Sequence, residues 1–402
     1  MCHVRVEKSG DGHCGEAGIA LRCKATMEPM INSTEAKVAD SKGRFAGVYK
    51  VLNEAIAARA FPGCAFGVLA GGNTVLLDAL GRFTYDADAR AVTAGTVYDV
   101  ASLTKVVATT AAAMLLWQRG LVDLDLPLGD LLPGFVVGRG QGGFARRVTL
   151  RHLLAHNSGL PGYPELFRTV TTPAGLYRAL LELPLEAEPG ARAEYSAPGF
   201  MLLGKALEVR TREYLAEWAK REIFEPLGMS GTGFCPSTAM RGLIPPTEED
   251  GTFRLRRIQG EVQDEHAFLL KGAAGHAGLF SNVPDLLRFA CEILRARGKS
   301  GAESEKPRLF DRATVELFCE RQGPEGSSRA LGWDTPSEPS SSGRYFSAHS
   351  IGHLGYSGCS LWIDLEAAVG VVLLTNRTWP GRESQLIKQV RPAFHNAVRE
   401  GL

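Results

Sequence analysis

The sequence predicts an α+β protein, with an antiparallel sheet and flanking helices built from both chain ends and a mostly helical domain inserted between them. Three observations predict it. A helical repeat runs into a hairpin near the start, a hairpin runs into a helical repeat near the end, and the middle is helical in texture.

Residues 1–44 are polar, rich in Gly, Lys and Glu, and without periodicity, so they are expected to form an extension that adds nothing to the core. Order begins at Phe45, where Val48, Leu52, Ile56 and Ala57 recur at helical spacing until Phe61-Pro62-Gly63 stops the helix. Cys64 to Ala70 and Thr74 to Leu80 are β-prone runs joined by Gly71-Gly72-Asn73, a hairpin. A helical pattern over 103–119 closes the first part of the α/β domain, 45–118. Helical patterns at 149–156, 173–182, 198–209 and 212–225, with Gly-rich joints such as 138–143, define a helical insertion over 119–249. The second part of the α/β domain, 250–402, holds a surface loop at 335–343. After it come strands Ser360–Asp364 and Ala368–Thr375 around Leu365-Glu366-Ala367, and a last helix from about Glu383 to Arg399.

The composition bounds the function. With 402 residues and 45% hydrophobic content the chain can bury one large core or two moderate ones. A formal charge of +1 leaves no electrostatic footprint for a nucleic-acid backbone or an anionic membrane surface. No apolar run reaches the roughly 18 residues of a membrane span. No stretch of signal-peptide length opens the chain, which places it in the cytoplasm as written, or in the periplasm if the true amino terminus differs. The eight cysteines are scattered without C-x-x-C spacing and are read as free thiols. Cys2, His3, His13, Cys14 and Cys23 cluster in the extension but are not assigned a metal. The expected partner is a small-molecule substrate, with no cofactor and no metal; the oligomeric state is left open.

The sharpest local feature is Val100-Ala101-Ser102-Leu103-Thr104-Lys105, which runs into an almost wholly apolar helical stretch. Residues three apart share a helix face, so the Ser102 hydroxyl and the Lys105 amine can meet. A serine hydroxyl needs a neighbouring base to become a nucleophile, and a lysine serves when burial and nearby cations favour its neutral form. The plain structural alternative is that Ser102 caps the helix and Lys105 is a solvated first-turn residue. Against it, this S-x-x-K is unique in the chain and its helix start is buried by pattern, where an isolated charge is costly. Glu194-Tyr195-Ser196-Ala197-Pro198-Gly199 and Gly352-His353-Leu354-Gly355-Tyr356 also stand at element boundaries. Alone, Tyr195 reads as a core residue as readily as a catalytic one, and His353 as loop decoration.

Taken together these three places resemble the serine β-lactamase and penicillin-binding protein family, in its class C β-lactamase-like branch with D-alanyl-D-alanine carboxypeptidases and related esterases. The resemblance covers about residues 45–400 and includes the stretches Thr149–Leu160, Gly275–Ser281 and Ser360–Asp364. It implies a serine hydrolase working through an acyl-enzyme, with Ser102 as nucleophile, Lys105 as base, and Tyr195 sharing the proton work from hydrogen-bond reach of both. It further implies that His353 and Gly355 flank the substrate and that the main-chain N–H groups of Ser102 and Tyr356 form the oxyanion hole. Tyr163, Ala197, Gly355 and Tyr356 are the expected substrate-binding residues. Two departures bear on substrate: Ala197 stands where the family carries a side-chain amide, and His353 where it carries a lysine. Both count against efficient β-lactam or peptide turnover and leave the acyl-transfer machinery in place; short-chain esters demand neither contact. The runner-up reading is a degenerate member that binds a cell-wall fragment or a protein without turnover.

Other patterns carry less. Gly138 to Gly143 satisfies G-x-G-x-x-G without the strand and helix a dinucleotide site requires. Gly199 to Lys205 approaches a phosphate loop but continues as apolar helix. His152 and His156 lack the Glu of H-E-x-x-H and are expected to brace the loop 157–163.

Overall fold

A computed structural model of the chain describes residues 43–137, 143–299 and 307–402. Most of the extension, including its Cys/His cluster, and the centre of the Gly-rich joint lie outside the described residues. Arg44, assigned to the extension from sequence, already donates to the carbonyls of Gly401 and Leu402.

Five strands form one antiparallel sheet: β1 Gly63–Ala70, β2 Asn73–Gly81, β3 Ser350–Leu354, β4 Ser360–Asp364 and β5 Val369–Thr375. Their order is β2-β1-β5-β4-β3, so the two chain ends meet along β1 and β5, where Cys64 faces Thr375 and Ala70 faces Val369. The expected hairpins are both present. β3 is an addition to the sequence reading, which leaves His353 beside a strand; it lies on one, opposite Leu361 of β4. Gly352 was legible only as a small residue. A side chain there would strike the indole of Trp362, with approaches down to 2.2 Å.

Helices α1 Ala46–Ala57 and α5 Ile387–Glu400 cover one face of the sheet, packing Phe45, Val48, Leu52, Phe394 and Val398 on Phe66, Val68, Val371 and Leu373. The alternation of β1 puts Ala65 and Leu69 on the other face, where α4 Val283–Ala296 lies. Gly67 lets α4 approach: a β-carbon there would meet the Val283 side chain at 2.6 Å. That second core runs without a break from the sheet through α2 Ala111–Gln118 into α3 Ala197–Thr211 and the helical middle of the chain. Ser102 sits where this core meets the end of β3. Among the described residues no helix is long and apolar enough to cross a membrane.

Candidate active site

Ser102 stands in a single 3-10 turn, Ala101–Leu103, and Lys105 opens a π-helical turn, Lys105–Thr110, that continues into α2. π-turns recur at functional sites because they re-aim one side chain out of the helical register. Lys105 is 1% exposed, and its Nζ donates to Ser102 Oγ at 3.0 Å and to the His276 carbonyl at 3.0 Å. The solvated first-turn alternative is thereby excluded for Lys105.

The turn is held by Asp99, which the sequence reading missed. Its Oδ1 accepts from Ala101 N and its Oδ2 from Gln263 N, both at 2.8 Å, while its carbonyl accepts from Ser357 Oγ. One residue therefore ties together the Ser102 turn, the 263 segment and the loop after β3. Ala101 has a φ of +47°, in the left-handed region that costs an ordinary residue about 1–3 kcal/mol, and the bond from its own N–H to Asp99 helps hold it there. Burial pushes the Asp99 carboxyl up to about 6, against the lowering effect of the two N–H donors. Thr104 and Thr109 clamp the same turn to the 275–279 loop through Leu279 N and the Gly275 carbonyl.

Tyr195 precedes α3, whose N-cap Ser196 accepts from Gly199 N and whose first residue is the buried Ala197. The Tyr195 ring is 4.9 Å from Lys105 Nζ and 5.3 Å from the Arg329 guanidinium, and its centroid is 5.8 Å from that of His353. Its hydroxyl makes no hydrogen bond with a described residue, so the expected bridge to Ser102 and Lys105 is not formed. Of the two histidines of the 149–156 stretch, His152 holds the start of the following loop through its carbonyl, which accepts from Asn157 N, while the side chains of both are engaged elsewhere. His152 completes a capping box with Thr149, and the buried His156 accepts from Ser196 N, positioning the Tyr195 segment.

His353 is 3% exposed, with Nδ1 on the Leu354 carbonyl. Burial, with Lys105 and Arg329 nearby, holds it well below the ordinary histidine range, so it is a neutral imidazole at pH 7. Gly355 brings the chain against the segment before Ser102: a β-carbon there would lie 2.5 Å from the Val100 carbonyl oxygen. The main-chain N–H groups of Ser102 and Tyr356 make no hydrogen bond with a described residue.

Ser102, Tyr195 and Tyr356 separate two cavities. One, of about 420 Å³, adds His353, Gly355, Arg329, Arg377, Lys388 and Arg391, with Asp334 as its acid. The other, of about 430 Å³, adds Lys105, Ala197, Tyr163, Asp264, Glu265 and His276. All eight residues singled out from sequence thus line the two cavities. Tyr163 is engaged, its hydroxyl donating to Asp264 at 3.0 Å and Glu265 at 3.3 Å. Arg329 was not anticipated. Its guanidinium has Asp334 at 3.8 Å and makes no hydrogen bond with a described residue, which leaves a cation beside the Tyr195 ring.

A sheet of this order over a buried lysine–serine pair defines a serine hydrolase of the β-lactamase-like fold. The chain belongs to the Beta-lactamase family, whose profile matches residues 48–392. It is 30% identical over 313 residues to an Escherichia coli (strain K12) protein provisionally named a D-alanyl-D-alanine carboxypeptidase, covering 71% of this chain and 70% of that one. It is 31% identical over 310 residues to the N-acetylmuramyl-L-alanine amidase of Bacillus subtilis (strain 168), covering 70% and 68%. Among solved structures it resembles EstCE1, a hydrolase with promiscuous acyltransferase activity, with a TM-score of 0.66 at 22% identity over 89% of this chain and all of that one.

Proposed function

We propose that the chain hydrolyses small carboxylic esters or amide-like substrates, β-lactams or D-amino-acid peptides among them, through an acyl-enzyme on Ser102. The observation that carries the reading is the 3.0 Å contact between Lys105 Nζ and Ser102 Oγ, with the amine steadied by the His276 carbonyl. In this reading the free amine of Lys105 takes the hydroxyl proton as Ser102 Oγ attacks the scissile carbonyl. The tetrahedral oxyanion is received by the Ser102 and Tyr356 N–H groups, which have no hydrogen bond to a described residue to give up. Collapse breaks the bond to the leaving group, which takes a proton from Lys105 with Tyr195 sharing the transfer. Water then repeats the sequence and frees Ser102.

Ala197 presents only a methyl group to the cavity, which favours acyl groups that need no amide contact. Arg329 supports a second, narrower reading in which the substrate carries a carboxylate on the His353 side, the chemistry in the name of the carboxypeptidase relative. The hydrolase reading is tested by a fluorophosphonate probe. One label per chain is expected, on the peptide containing Ser102 and absent in Ser102→Ala; unchanged labelling of that variant would overturn it and favour a non-catalytic binding role.

A further inference from the structure

Beside the reacting serine, Asp264, His266 and His276 each bring one ligand atom into a cluster whose members all lie within 4.8 Å of one another. Asp264 caps the short helix Glu265–Leu269 through Ala267 N, and its Oδ1 is also 2.8 Å from His276 Nε2. The two imidazole centroids are 6.4 Å apart. His266 is fully buried, yet among the described residues neither of its ring nitrogens has a hydrogen-bond partner. Buried polar atoms are nearly always satisfied, so the unpartnered His266 ring beside the Asp264–His276 pair calls for something to bind it.

From this juxtaposition we propose that Asp264, His266 and His276 form a divalent transition-metal site of the zinc class in the wall of the Ser102 cavity. Two imidazole nitrogens and one carboxylate oxygen are a zinc-type donor set, and three protein ligands leave a fourth position open. Asp264 and His276 line the cavity that holds Ser102 and Lys105, which sets the cluster in that cavity's wall. Bonds of about 2.0–2.1 Å in a tetrahedron put ligand atoms roughly 3.3 Å apart. The widest pair must therefore close inward. His266 can do so by turning about its side-chain torsions, because its ring has no hydrogen bond to a described residue to break; the His276–Asp264 contact is exchanged for two bonds to the ion. The main chain of His276 anchors Lys105, so occupancy at its ring is one residue from the proposed base.

The test uses the full chain stripped with chelator and titrated with zinc sulfate, with bound metal counted after equilibrium dialysis. Cobalt(II) serves as a second probe for the visible bands of a tetrahedral ion. One equivalent per chain is expected, with a rise in melting temperature. Affinity should fall at least about tenfold in His266→Gln and again in Asp264→Asn, since even outer groups around metal ligands change affinity by 10–100-fold. Because the extension also holds cysteines and histidines, the combined variant Cys2→Ser, Cys14→Ser, Cys23→Ser is titrated in parallel and should keep the full equivalent. If His266→Gln were poorly folded, the milder His266→Asn variant carries the same test. No saturable zinc below millimolar concentration, or an equivalent that survives His266 replacement and vanishes with the cysteines, overturns the proposal. The readout needs no turnover, so its failure is distinct from failure of the hydrolase reading.

Discussion

Replacing Arg329 with glutamine removes the one guanidinium beside Tyr195 and His353 that is held by no hydrogen bond among the described residues. The structural loss is small. Asp334 keeps its bonds from Ser328 Oγ and Thr335 N, and what goes is a 3.8 Å ion pair and a cation–π contact worth about 0.5–1 kcal/mol. The loss in binding is larger if the substrate bears a carboxylate on this side. At about 4 Å and an effective dielectric of about 20 the gross attraction is about 4 kcal/mol. After desolvation, a charge-assisted bond keeps about 1.5–3 kcal/mol, a factor of roughly 10–150. The assay compares kcat/KM for matched butyryl esters of phenol and 3-hydroxybenzoic acid, with the 4-nitrophenyl monoester of glutaric acid placing the carboxylate on the acyl side instead. In the native chain one of the two acids should be preferred over its neutral counterpart, and in Arg329→Gln that ratio should fall by about 10–100-fold. A native chain indifferent to the carboxylate, or a ratio that survives the substitution, refutes the narrower substrate reading.

Tyr195→Phe should lower kcat by roughly 10²–10⁴ if the hydroxyl joins the proton transfer during turnover, and a loss below threefold in ester assays would remove it from that role. Asp99→Ala strands two buried N–H groups and unties the Ser102 turn; a loss of about 2–4 kcal/mol in denaturant unfolding is expected, with kcat falling more than KM rises. The buried His156 and His353 are held well below the ordinary value of 6.5 by burial first and nearby cations second, and His395 at about 3 by burial and Arg391. Unfolding lets each take a proton near pH 6.5, so their contribution is full above that pH and is lost as pH falls through it. From pH 6 to 5 these rings, together with His266 held at about 4 by burial, withdraw stability while Asp99 with its carboxyl raised to about 6 returns part of it; several rings oppose one carboxyl, so the balance should appear as a falling melting temperature. A flat profile over that interval would contradict the burial of these rings.

The sheet was legible because its strands announce themselves: β1, β2, β4 and β5 are β-prone runs bounded by turn residues. β3 was not, because Ser350–Leu354 contains a glycine and a histidine and is defined by the indole that Gly352 admits. Ser102 and Lys105 were legible because their three-residue spacing is unique in the chain, opens an apolar stretch and joins a resemblance at Tyr195 and His353; the spacing by itself left the capping alternative open. Asp99 was not, because its work is done with donors more than 160 residues away in sequence, the Gln263 N–H on its carboxylate and the Ser357 hydroxyl on its carbonyl. An aspartate three places before the serine is the only local trace it leaves. Arg329 lies in a loop between unremarkable neighbours, and nothing in a single sequence says that this loop closes over Tyr195. Asp264, His266 and His276 escaped for the same reason: a two- and ten-residue spacing matches no simple helical ligand repeat, and the loop that folds His276 back is shaped by Gly275 and Gly278 packing on neighbouring backbone.

The central claim is that Ser102 carries the acyl group, and the most direct test is the intact mass of the chain during turnover of 4-nitrophenyl butyrate. Acid-quenched samples of the native chain should gain the mass of one butyryl group, mapped by peptide analysis to Ser102 and absent in Ser102→Ala. Lys105→Ala should form the same adduct slower by orders of magnitude. Butyrylation at any other residue, or turnover retained by Ser102→Ala, would contradict the account.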